Sequence, residues 1–84
     1  MPDFSETERM FGELILHASP LFSVEEKEEI NDHVETNEFG LALEAFVDIL
    51  TEKSVPVPQD IIQRIKVLAI HMGMTELSLS GLNP

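Results

Sequence analysis

The sequence predicts an all-α fold: a compact bundle of four short helices with a partly extended C-terminal tail. Three observations carry this. Apolar residues recur at helical spacing in four separate segments. Two of those segments open with the Ser-x-x-Glu spacing of a capping box, at Ser5 and Glu8 and again at Ser23 and Glu26. Strong helix breakers separate the segments: Pro20, the run Ser54-Val55-Pro56-Val57-Pro58, and Gly73. The expected helices cover about 6–18, 24–36, 38–53 and 59–72, with a tail over 75–84. With 84 residues, the chain reads as one domain, 1–84.

In the first segment Met10, Phe11, Leu14, Ile15 and Ala18 fall on one helical face, and Pro20 ends it. The second segment has only a thin apolar stripe of Ile30 and Val34, with Val24 at its start. At about 100° per residue, Glu25, Glu28, Asp32 and Glu35 project together, opposite Ile30, and Glu26 and Glu29 flank the stripe. Asn37 is the expected N-cap of the third helix. That helix should be the most buried: Phe39, Leu43, Phe46 and Leu50 share a face that Ala42, Val47 and Ile49 widen. Its outward side carries Leu41, Glu44, Asp48 and Glu52.

The fourth helix starts at Pro58 or Gln59, where a proline has no helical bond to lose. Its inner stripe is Ile61, Ile65, Leu68 and Met72, with Ile62 and Ala69 beside it. Gly73 suits a left-handed C-terminal cap with Met74 folding back. Val67 and Ile70 point away from the inner face. Either the tail leucines Leu77, Leu79 and Leu82 cover them, or they meet a second copy of the chain.

Composition removes several function classes. The net charge of −11 argues against direct nucleic-acid binding, because phosphate contacts need a basic surface. There is no Cys, so disulfides and thiolate metal sites are excluded. No apolar run approaches membrane-spanning length, and no secretory leader is visible at the start, so the cytoplasm is the expected location. Glu29 and His33 share a helical face, but two ligands do not make a metal site, and His17 and His71 lie on other helices. No calcium loop is present: Asn31-Asp32 to Gly40 lacks the alternating acids. No catalytic residues are assigned, since the chain has no Gly-x-Ser-x-Gly and no Gly-rich phosphate loop; neither enzyme activity nor a cofactor is expected. An acyl carrier would need Asp-Ser-Leu at a helix start, and Leu77-Ser78-Leu79-Ser80 lacks the Asp.

What remains is the charge distribution. Residues 25–38 hold seven acids against one Lys, while the fourth helix carries Arg64 and Lys66 against Asp60 alone. Segregation of this kind costs self-repulsion that a mixed surface avoids. Leu41 beside Glu44 and Asp48 has the form of an apolar anchor in an acidic rim. The candidate partner-binding residues are therefore Glu25, Glu28, Asp32 and Glu35, followed by Leu41, Glu44 and Asp48. A face like this suits a partner with a basic cleft.

The stretch from Ile30 to Met74 is similar to the MafI-like immunity proteins of bacterial polymorphic toxin and contact-dependent growth inhibition systems. The resemblance is carried by Gly40-Leu41-Ala42-Leu43-Glu44, Asp48, Leu50, Glu52, Val55-Pro56, Ile62, Ile65, Leu68 and Met72-Gly73. It covers about half the chain. It implies a small all-α antitoxin whose partner is a cognate toxin domain, such as a nuclease of the EndoU RNase type. Bacteriocin nuclease immunity proteins share this size and acidity, but their Tyr-Tyr-Pro element is absent because the chain has no Tyr. The alternative expectation is a small acidic adaptor, or a module that homodimerises through Val67 and Ile70, with no toxin partner.

Overall fold

Each apolar stripe folds into a helix close to its expected span. The computed structural model describes residues 4–74 and 77–82. Among them are four α-helices and no strand: α1 (Ser5–Ala18), α2 (Val24–Glu35), α3 (Phe39–Lys53) and α4 (Gln59–His71). A short 3-10 turn, Ser19–Leu21, joins α1 to α2, with Pro20 near its start. The helix ends differ from the sequence expectation by one residue at most.

Two caps follow the sequence reading. Ser23 and Glu26 form a reciprocal capping box: Glu26 N–H donates to Ser23 Oγ (3.2 Å), and Ser23 N–H donates to the Glu26 carboxylate (2.8 Å). Gly73 (φ 72°) closes α4 in the left-handed conformation, and Met74 N–H folds back to the Ala69 carbonyl (2.8 Å).

Two others differ. Ser5 is the first residue of α1, not its N-cap. Phe4 holds the cap position, its carbonyl accepting from Glu8 N–H (2.8 Å), and its ring packs on Phe39 at 5.6 Å. Ring packing thus sets the start of α1 one residue earlier than the box implies. Asn37 is not the N-cap of α3; it ends α2. Its φ is 61°, its N–H donates to the Val34 carbonyl (3.0 Å), and Glu38 N–H donates to the His33 carbonyl (2.8 Å). These two bonds make a Schellman motif, for which Asn is a natural second choice after Gly. The cap position of α3 then passes to Glu38, whose carbonyl accepts from Ala42 N–H (2.9 Å).

Helix α1 packs against α4, and α2 against α3. The two pairs share one core around Phe46, which meets Phe11 edge-on (6.3 Å, 86°) and Phe22 at 4.8 Å. Helix α3 buries six residues, the most of any helix: Phe39, Ala42, Leu43, Phe46, Val47 and Leu50. Between α3 and α4 the two prolines keep the chain extended, and this delivers Val57 fully into the core. The radius of gyration, 11.9 Å, is that of a close-packed chain of this length.

Among the described residues, the tail leucines do not cover Val67 and Ile70. Leu82 is buried in the core, and Leu77 and Leu79 pack partly against it. Gly81 lies against Thr51 of α3, where a Cβ would stand 2.6 Å from Thr51 Cγ2. Val67 and Ile70 stay 49% and 75% exposed. Tail positions 75–76 and 83–84 lie outside the described residues.

Candidate functional site: an acidic groove between α2 and α3

Packing α2 on α3 leaves a groove of about 580 Å³ between them. One bank is Glu26, Glu29 and His33 of α2; the other is Leu41, Glu44, Ala45, Asp48, Ile49, Glu52 and Lys53 of α3. The spacing of the α3 residues explains the shape. Leu41, Ala45 and Ile49 are four apart and form a half-buried apolar seam, and Glu44, Asp48 and Glu52 form a parallel carboxylate row. Successive carboxylates of that row rise about 6 Å along the helix.

One end of the groove is locked. Lys53 Nζ donates to Glu26 Oε1 (2.8 Å) and to the Leu21 carbonyl (2.7 Å), and it sits 5.9 Å from the Phe22 ring centre. The hydrogen bond from Lys53, and then that from the Ser23 backbone, hold the Glu26 carboxyl below its usual pKa. Glu26 is therefore a structural residue: it caps α2 and ties the start of α2 to the end of α3.

The other four acids differ. Among the described residues, Glu29, Glu44, Asp48 and Glu52 have no cation within ion-pair distance. Four unpaired carboxylates face one groove, beside the half-exposed Leu41. The surface contrasts with α1, where Arg9 pairs with both Glu6 and Glu13 (2.9 Å to Glu13), and where the bonded Arg9 lowers the Glu6 pKa.

Of the seven residues singled out in the sequence, Leu41, Glu44 and Asp48 line this groove. Glu25, Glu28, Asp32 and Glu35 do not. They are exposed on the outer face of α2, turned about 110° from Glu26, Glu29 and His33. Glu29, Glu52, Ala45 and Ile49 also line the groove and were not among the residues singled out as a site from the sequence. The four-residue series from Leu41 and Glu44 pointed to them, but the side of α2 that faces α3 was not visible locally.

Glu29 and His33 share the groove bank, yet among the described residues no three Asp, Glu or His side chains gather closely enough to hold a metal ion. Likewise no described helix is long and apolar enough to cross a membrane. Comparison of the chain with family models, curated proteins and solved structures found no match.

Proposed function

We propose that this chain is an immunity protein that binds and neutralises a toxin domain carrying a basic cleft, in the cytoplasm of the cell that makes both. The observation that carries the reading is the groove: four carboxylates without cations, set around an apolar seam. Unpaired like charges held together destabilise a fold, and a surface of this kind is retained where a cationic partner completes it. Leu41 supplies the apolar contact inside the acidic rim. The likeness of residues 30–74 to MafI-like immunity proteins narrows the partner from any basic protein to a toxin domain. A nuclease fits best, because a cleft built to hold phosphates is cationic and is blocked by a matching row of carboxylates.

In this reading the groove is the anchor, and Glu25, Glu28, Asp32 and Glu35 on the outer face of α2 add long-range attraction. The test is co-expression with a basic nuclease toxin domain that arrests growth when expressed alone. The wild-type chain is expected to restore growth, and Glu44→Lys with Asp48→Lys to abolish protection while the helical circular dichroism stays intact. Full protection by that double variant would overturn the groove as the binding site.

A further inference from the structure

The outward surface of α1 and α4 is a different surface from the acidic groove. Of the six large apolar residues left exposed among the described residues, three lie on these two helices: Leu16 at 73%, Val67 at 49% and Ile70 at 75%. Helical projection places Val67 and Ile70 directly opposite the buried Ile65, Leu68 and Ala69, so no movement of α4 alone brings them into the core. Three of the five basic residues are here too: Arg9, Arg64 and Lys66. Helix α4 is the one helix whose bases outnumber its acids, two to one, whereas α2 has six acids against Lys27.

We propose that the α1–α4 face is a twofold homodimer interface centred on Val67 and Ile70. The charge distribution selects the occupant. Two chains of net charge −11 repel each other on every approach that brings α2 or α3 forward. With the α4 surfaces facing, the acidic grooves point outward on opposite sides. Each bundle is at least 18 Å thick, so the two carboxylate clusters are separated by several Debye lengths of about 8 Å. The facing surfaces carry little net charge: Arg9 and Arg64 stand there with Glu6, Glu13 and Asp60, around Met10 and Val67, and are paired within each chain.

Helices about 20 Å long and about 10 Å apart present a face of about 400 Å², about half the area per partner of a standard interface. The dimer is therefore weak. It is independent of the toxin reading, since each copy keeps its groove open.

Salt separates the two surfaces. Screening relieves the repulsion between two −11 chains, so salt strengthens this dimer; it weakens the joining of an acidic groove to a basic partner. The test is sedimentation equilibrium of the full chain up to about 500 µM, at low and at moderate salt. The expected result is a mass rising toward twice that of the monomer, more so at moderate salt. Val67→Glu with Ile70→Glu is expected to remain monomeric with unchanged helical signal, since both side chains are exposed. The chain has no Cys, so Val67→Cys gives a single-site crosslink that the isologous geometry favours over one from Glu28→Cys. A monomer at every concentration overturns the proposal. So does a dimer that survives Val67→Glu with Ile70→Glu, or one that salt dissociates, which makes ion pairs and not Val67 and Ile70 the contact. Loss of toxin protection by groove variants with the dimer retained shows the two surfaces to be separate.

Discussion

Replacing Asp48 with Asn should make the protein more stable. Asp48 sits between Glu44 and Glu52, four residues from each, on the exposed side of α3. Both neighbours are like-charged, and among the described residues no cation lies within ion-pair distance of any of the three. Each like-charge pair at this spacing is unfavourable by about 0.2–0.5 kcal/mol, so removing the middle charge relieves about 0.4–1 kcal/mol. Asn and Asp have nearly equal helix propensity and size, so little else changes. The unfolding entropy of a chain of this length is about 0.18 kcal/mol/K, which turns that gain into a rise in Tm of about 2–6 °C. Thermal melts followed by circular dichroism at low salt read it directly. In about 1 M salt the screening length falls to about 3 Å and the gain should vanish. A lower Tm for Asp48→Asn at low salt, or a gain that persists in high salt, would refute the reasoning. Either result would mean that the carboxylate row supports the fold and is not held at its expense.

Four further outcomes follow from the caps and the tail. Ser23→Ala should cost about 1 kcal/mol by urea titration, because it opens one arm of the capping box. Glu26 titrates below its usual range when folded, so its contribution is present above about pH 4.5 and is lost as pH falls through the lowered folded value; an acid titration should therefore lose stability there in wild type and less steeply in Glu26→Gln. Asn37→Gly should raise stability by up to about 1 kcal/mol and Asn37→Ala should lower it, since the residue is left-handed; a loss on going to Gly would return Asn37 to the N-cap role. Gly81→Ala should cost about 1–3 kcal/mol through its clash with Thr51, and Thr51→Ala should recover most of that loss in the double variant.

These residues also show which parts of the structure local sequence can specify. Helix spans and inner stripes are local properties, so Phe11, Leu14, Leu43, Phe46, Ile65 and Leu68 all reach the core as their periodicity requires. Asn37 is different, because one residue type serves two opposite purposes: it caps a helix start by its side chain and a helix end by its backbone. The choice is made by the path from α2 to α3. Ser5 lost its cap role to a ring contact between Phe4 and Phe39, 35 positions apart. The tail followed the same logic, since Gly81 meets Thr51, 30 positions away in the chain.

The candidate site was half legible for a related reason. Leu41, Glu44 and Asp48 lie on the outward side of a strongly amphipathic helix, so their exposure follows from α3 alone. Helix α2 buries only Ile30, and such a thin stripe leaves its rotation undetermined. Rotation decides which acids face the groove, and pairing with α3, helped by the Lys53 clamp on Glu26, turns Glu29 toward it and Glu28 and Asp32 away.

The central claim is that the α2–α3 groove holds a basic toxin domain. Its most direct test is the association and dissociation kinetics of the complex with a toxin domain that the wild-type chain neutralises, for two matched double variants. Glu29→Lys with Asp48→Lys reverses charge inside the groove; Glu28→Lys with Asp32→Lys does so on the outer face of α2. The account predicts dissociation faster by about tenfold or more for the groove pair, and for the outer pair a slower association with little change in dissociation. Dissociation unchanged by the groove pair but accelerated by the outer pair would contradict it.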